Sequence, residues 1–430
     1  MRAHRARFGV LVALVWTVAV LAVLAAPAAA SEDAVTKWDE LAAQVLTGPP
    51  NGQGSPATAH LAMLHAAVFD AVNAIDHRYT PYLARPRAKP WFSQDAAVTA
   101  AAHRVLVSGH VVGTREAQAA LETAVAPLYD SSLAAIPDGA AKAGGIATGE
   151  AAAGAMIAAR TGDGRFGTQG FTLGPPVPGA WRLTPPGFVN DPGAWLKDVT
   201  PFLVRNPDRF RTRGPDSLTS RRYTAEYAEV KSLGQDTSTT RTEDQKTAAR
   251  FWGAANAVAT WSGLIRTLSQ IRPMSTVERA RFYALVYLTG ADTLISVWRD
   301  KDRWQFWRPV TAIQLGDSDG NPATVGDARW LPLITTPPYP DHPSGLASFG
   351  ASNVATLQEL FGTDKVTFDG VNAAGVERKY TRLSQAVEEI IDARVWSGIH
   401  FRHADNAGAR IGRRVARWRR DHPVLRPLHR

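Results

Sequence analysis

Lys301-Asp302-Arg303-Trp304-Gln305-Phe306-Trp307-Arg308-Pro309 places two cations seven residues apart in a stretch crowded with aromatic rings. Seven residues is about two helical turns, so the spacing predicts that Lys301 and Arg308 project from one side of a helix, with Pro309 ending it. Trp298, Trp304, Phe306 and Trp307 crowd the same stretch, which reads as a partly buried anion site more readily than as a solvated basic face. A second segment, Pro337-Pro338-Tyr339-Pro340-Asp341-His342-Pro343-Ser344-Gly345-Leu346, is a proline-stiffened loop running into a helix start. Free backbone N–H groups and the positive end of the helix dipole favour an anion there. Ser344 adds a hydroxyl, and Gly345 lets a ligand approach the backbone. Taken alone, Ser344 is an ordinary N-cap. The third segment, Arg394-Val395-Trp396-Ser397-Gly398-Ile399-His400-Phe401-Arg402, sets Arg394 near a helix end, a turn at Gly398, and His400 in a loop or at the next helix start.

In order and internal spacing the three segments resemble the motifs of the vanadium-dependent haloperoxidase and type 2 phosphatidic acid phosphatase superfamily. Those motifs are Lys, six residues, Arg-Pro; Pro-Ser-Gly-His; and Arg, five residues, His. The stretch Ala62–Tyr82, with Met63-Leu64-His65-Ala66-Ala67 and Asp70-Ala71-Val72-Asn73-Ala74-Ile75, is similar to the bacterial haloperoxidase-like branch. The resemblance implies an all-α fold of two packed helical bundles. It implies vanadate as cofactor, with Lys301, Arg308, Ser344, Gly345 and Arg394 donating to its oxygens and His400 binding the metal through a ring nitrogen. In a phosphatase the same His400 would be the nucleophile. Trp298 and Tyr339 correspond to aromatic positions near the halide pocket of relatives.

Two departures stand out. Leu346 replaces the histidine of Pro-Ser-Gly-His, which helps activate peroxide in peroxidases and protonates the leaving group in phosphatases; a leucine can do neither. His342 lies four residues earlier, across a proline turn. In the phosphatase form of the third motif a serine precedes the arginine and an aspartate follows the histidine by four; here Ala393 and Ala404 stand there, with Asp405 one place late.

Around the motifs the pattern is helical. Leu61, Leu64, Val68, Val72 and Ile75 recur at helical spacing, and alanine-rich runs cover Ala96–Ala126 and Ala140–Arg160. Helical pattern returns over Thr242–Ser269, Ser275–Asp302, Ser344–Gly362 and Thr381–Trp396. Long Pro/Gly-rich connections separate these runs. We expect an N-terminal bundle over about residues 35–160 and an excursion over about 162–215, anchored by Trp181, Phe188, Trp195 and Phe202. A C-terminal bundle follows over about 240–420, all within one haloperoxidase-like domain of residues 31–430. Asp317-Ser318-Asp319-Gly320 reads as a polar turn, because the glutamate of a calcium loop is absent.

Arg2, Arg5 and Arg7, an apolar stretch from Phe8 to Ala26, and Ala28-x-Ala30 read as a cleaved export signal over residues 1–30. The expected mature protein is secreted, without a stable membrane anchor. There is no cysteine, so disulfides, thiolate metal sites and cysteine nucleophiles are excluded. The net charge is +9, and the arginine-rich tail from Arg410 to Arg430 reads as a solvated helix face, with no nucleic-acid motif beside it. The first functional expectation is therefore a vanadate-dependent haloperoxidase using hydrogen peroxide and halide. The alternatives are an acid phosphatase acting on a phosphomonoester through His400, and a non-catalytic phosphate- or vanadate-binding descendant motivated by Leu346.

Overall fold

Alanine dominates the first helices because it carries the highest helix propensity and lets axes approach closely. The computed structural model describes residues 33–49, 51–253 and 256–428. The expected leader lies outside the described residues. The first helices are α1 (Ala34–Thr47), α2 (Ala57–Asp76), α3 (Gln94–Leu106), α4 (Arg115–Ala134) and α5 (Ala140–Ala159). Asp33, Ser93 and Thr114 cap α1, α3 and α4 with side-chain oxygens. The run expected to be mostly uninterrupted from Ala96 to Ala126 is broken after Leu106, where Gly109 takes a positive φ of 73° and the chain turns into α4.

The centre of this group is α2, in which every residue from Ala57 to Ile75 is buried. Among the described residues it alone is long and apolar enough to cross a membrane, but its surroundings are protein. Its polar side chains tie it to its surroundings. His65 Nε2 meets Asp39 Oδ1 at 2.9 Å. Asp70 accepts N–H groups of Tyr82, Leu83 and Ala84 at 2.7–2.8 Å, and Asn73 bonds both backbone groups of Tyr79.

The second group comprises α6 (Arg221–Leu233), α7 (Glu243–Gly253), α8 (Ala257–Ser269), α9 (Thr276–Trp304), α10 (Pro309–Gln314), α11 (Gly345–Phe361), α12 (Leu383–Trp396) and α13 (Arg402–Asp421). A two-stranded antiparallel hairpin, β1 (Phe368–Val371) and β2 (Glu377–Tyr380), lies between α11 and α12. The long α9 starts at a Ser275–Glu278 capping box and packs against both α2 and α11, so it belongs to both groups. The all-α fold of two packed bundles is thus observed. α1, α6, α10 and the hairpin are additional to the elements expected.

The excursion after α5 is irregular apart from two short 3-10 turns, Ala194–Asp198 and Pro207–Phe210. Trp181, Trp195 and Phe202 are buried anchors as expected; Phe188 is 59% exposed and anchors nothing. The stronger tether is polar. Asp292 of α9 accepts the successive N–H groups of Phe202, Leu203 and Val204 at 2.6–2.8 Å. The Asp317–Gly320 stretch is a turn closed on itself, with Asp319 accepting from Asn321 and Thr324.

The pairing of α11 with α13 fixes the start of α11. A Cβ on Gly408 would collide with the Ser344 carbonyl oxygen, and one on Gly412 with that of Ser348, so both glycines mark backbone-to-backbone approach. In an exposed helix Gly→Ala stabilises by about 1 kcal/mol. Here Gly412→Ala should destabilise by about 1–3 kcal/mol through overpacking. The denaturant midpoint measures it, and a midpoint unchanged or raised contradicts this packing.

Candidate oxyanion site

Lys301 and Arg308 do not share a helix face. α9 stops at Trp304, where Gln305 takes a left-handed φ of 40°, and Arg308 is the extended residue before α10. The break is held from two sides. The excursion pairs with it through Trp181 N–H to the Gln305 carbonyl and Trp307 N–H to the Gly179 carbonyl, at 2.6 and 2.9 Å. The second motif's loop adds Asp341 N–H to the Phe306 carbonyl at 2.9 Å. Helical spacing alone therefore misplaces Arg308; tertiary pairing turns it back toward Lys301.

Both side chains are completely buried. Lys301 Nζ donates to the carbonyls of Pro340 and Asp341 at 2.6 and 3.2 Å. Arg308 donates from Nε to the Tyr339 carbonyl at 2.8 Å and from Nη1 to the Ile399 carbonyl at 2.6 Å. The same Nη1 lies 3.1 Å from Nε2 of His400. Lys301 and Arg308 also flank the Tyr339 ring, 4.9 and 5.0 Å from its centroid. Arg394, in the last turn of α12, donates from Nη1 to the Trp252 carbonyl at 3.1 Å.

His400 sits after Gly398, whose positive φ of 79° turns the chain between α12 and α13. Its Nδ1 lies 2.7 Å from Asp341 Oδ1, both groups being buried. A neutral imidazole donating from Nδ1 to that carboxylate leaves the Nε2 lone pair facing Arg308. Burial and the charges of Arg308, Arg394 and Lys301 hold His400 well below the usual imidazole range. Burial raises Asp341 to about 6, against the pull of Arg308. Burial and the neighbouring Arg308 push Lys301 well down, and burial lowers Arg394 to about 10.

The remaining motif residues occupy the start of α11. Ser344 caps the helix, its Oγ 3.5 Å from Ala347 N–H, and its own N–H donates to the Ala404 carbonyl. Gly345 faces Trp298, whose ring a Cβ would approach to 3.1 Å. Leu346 is buried in the apolar core. His342 is turned elsewhere: its Nε2 lies 2.9 Å from Thr212 Oγ1 and its ring stacks on His403 at 5.5 Å. Asp405 is buried beside Ser344, and burial raises its pKa well above the carboxylate range; it makes no hydrogen bond to His400.

Asp341 is the site residue that sequence reasoning missed. The motif spacing points to a carboxylate after His400, whereas the partner comes from 59 residues earlier. The available signal was an acid inside the proline loop leading to Ser344.

These residues fit a tetrahedral oxyanion. Three buried cations bear on one imidazole, and Nη2 of Arg308 and Nε of Arg394 find no hydrogen-bond partner among the described residues. Unsatisfied buried donors of one sign are stabilised by an anion between them. Vanadate and phosphate both have that charge and shape.

Residues 281–423 match the model of the VCPO second helical-bundle domain. An 89-residue stretch is 35% identical to the vanadium chloroperoxidase of Curvularia inaequalis, a match spanning 18% of this chain and 14% of that protein. Among solved structures, the first bacterial vanadium-dependent iodoperoxidase superposes with a TM-score of 0.78 at 19% identity, over 92% of this chain and 98% of that one. The holo-type bacterial vanadium-dependent chloroperoxidase superposes with a TM-score of 0.69 at 16% identity, over 90% and 96%. The bundle of residues 281–423 is thus a VCPO second helical-bundle domain, and the chain carries the fold of the vanadium-dependent haloperoxidases.

Proposed function

We propose that this protein is an exported, vanadate-dependent haloperoxidase that oxidises halide with hydrogen peroxide, slowed by Leu346. The observation that carries the reading is the buried group of Arg308, Nη1 3.1 Å from Nε2 of His400, with Lys301 and Arg394 near enough for their charges to lower that imidazole's pKa and with Nδ1 tied to Asp341. Bound vanadate would supply a Lewis acid that polarises peroxide without changing its own oxidation state. His400 would hold the metal through Nε2, and the Asp341 hydrogen bond fixes the tautomer that exposes that nitrogen. Lys301, Arg308 and Arg394 would neutralise the oxyanion's charge, with the Gly345 N–H at the N-terminus of α11 adding a backbone donor. Proton delivery is the weak point. Leu346 offers no proton, and the hydrogen bond of His342 runs to Thr212. Export rests on the leader sequence.

A second reading, an acid phosphatase with His400 as nucleophile, draws support from the same Asp341. A carboxylate on Nδ1 raises the nucleophilicity of Nε2 toward phosphorus. Without a proton donor at position 346, the leaving alcohol would depart slowly.

Two expected outcomes test these roles. Asp341→Asn should weaken orthovanadate binding by about 10–100-fold, the usual cost of removing a ligand's orienting partner. Equilibrium dialysis measures it, and unchanged affinity would remove Asp341 from the site's design. Leu346→His should raise vanadate-dependent iodide or bromide oxidation at least tenfold, within the range of about 10²–10⁴ for a positioned acid–base group. Steady-state assays with peroxide decide it. A natural protein that matches the variant's rate contradicts the role given to Leu346, and vanadate binding without turnover in either protein supports the non-catalytic descendant.

A further inference from the structure

The exposed face of α13 carries Arg410, Arg413, Arg414, Arg417 and Arg420. As a stretch of sequence it reads as a solvated helix face. The fold changes that reading by bringing a second basic segment against it. Arg414 donates to the carbonyls of Phe210 and Arg209 at 3.1 and 2.6 Å, which fastens the end of the excursion to α13. The exposed Arg209 guanidinium then lies 5.6 Å from the Trp418 ring. Arg222, at the start of α6, borders the other end. Burial and the charges of Arg222 and Arg413 depress the pKa of Arg410.

Carboxylates do not neutralise the middle of this surface. The ion pairs of α13 fall to Arg402, Arg419 and Arg420, through Glu229 and Asp392, Glu359, and Asp421. Asp208 turns to Arg299 and Arg303, and Asp216 and Glu226 pair with Arg222. Arg209, Arg410, Arg413 and Arg417 have no ion pair among the described residues. Like charges gathered on one face repel one another, and a partner of opposite charge relieves that repulsion.

The chemistry of the face narrows the partner. Its neighbours on the helix, Ile411, Val415 and Ala416, are buried in the protein, so the face has no apolar side chain to insert into a bilayer. The Trp418 ring is half-buried and stacked on His422 at 4.3 Å, so it is not open for a nucleic-acid base to stack on. Neither segment, residues 198–222 or 380–430, contains a lysine. Arginine's planar fork takes oxyanion groups bidentately, where lysine would add only a point charge. From Arg410 to Arg420 the row runs about 15 Å at 1.5 Å per residue, the length of a few sugar units.

We infer that the arginine face of α13, with the adjoining end of the excursion, binds an anionic polysaccharide through its oxyanion substituents. Such binding would hold an exported protein on a polymer outside the cell. The inference draws nothing from the chemistry at His400; it shares only the expectation of export.

A heparin oligosaccharide is the probe, titrated into the full chain by calorimetry at several salt concentrations. Combining Arg410→Gln, Arg413→Gln and Arg417→Gln should weaken binding at least tenfold. It should also reduce the slope of log K against log salt by about 2–3, the scale of about 0.7–0.9 per lost contact. Removing the same charge elsewhere, with Arg85→Gln, Arg87→Gln and Arg329→Gln at exposed positions, should change affinity little. Thermal melts verify that both triple variants are folded. Equal losses in the two would mean that net charge alone is read, which overturns the inference. So does the absence of heparin binding at about 0.15 M salt. Tighter binding of a DNA duplex, or of phosphatidylglycerol vesicles, under the same conditions would overturn it in favour of that partner.

Discussion

Lys301, Arg308 and Arg394 are buried cations gathered around one imidazole, and burying like charges together is among the costlier things a fold can do. Each ion taken out of water costs several kcal/mol after relaxation. The chain offsets this with carbonyl dipoles. The oxygens of Tyr339, Pro340 and Asp341 face Lys301 and Arg308, that of Ile399 faces Arg308, and that of Trp252 faces Arg394. Backbone oxygens can be delivered this densely only from irregular chain, which is why the site is made of a broken helix, a proline loop and a glycine turn rather than of helix faces.

The rest of the fold supports that irregular chain. The excursion clamps residues 305–307, and Asp292 ties the excursion back to α9. Gly408 and Gly412 bring α13 onto α11 so that Ser344 can bond the Ala404 carbonyl. The carboxylate–imidazole pair of Asp341 and His400 joins the second motif to the third across 59 residues. The bundles are ordinary helix packing; what they hold is a set of carbonyls drawn mostly from irregular chain, with that of Trp252 coming from the last turn of α7.

Much of this was legible in the chain. The helices with strong apolar periodicity, α2, α9 and α12, lie where the spacing puts them, and α11 stops at Gly362 with its positive φ of 71°. The three motifs named the cations, the serine and the histidine. What escaped has physical reasons. The seven-residue spacing of Lys301 and Arg308 assumes one helix, whereas Gln305 breaks it under tertiary pairing. Asp341 was hidden because a side-chain hydrogen bond between distant loops leaves no periodicity. An aromatic such as Phe188 reads as an anchor, yet a proline-rich surface loop leaves its ring in solvent.

The central claim is that one oxyanion occupies the space shared by Lys301, Arg308, Arg394 and His400. A crystal structure of the full chain grown with orthovanadate tests it most directly, through the anomalous signal of vanadium. The account predicts a single strong peak bonded to His400 Nε2, with oxygens about 2.7–3.2 Å from donors on Lys301, Arg308 and Arg394 and Asp341 still on Nδ1. A peak elsewhere, or none at saturating vanadate with the four side chains arranged as described, would contradict it.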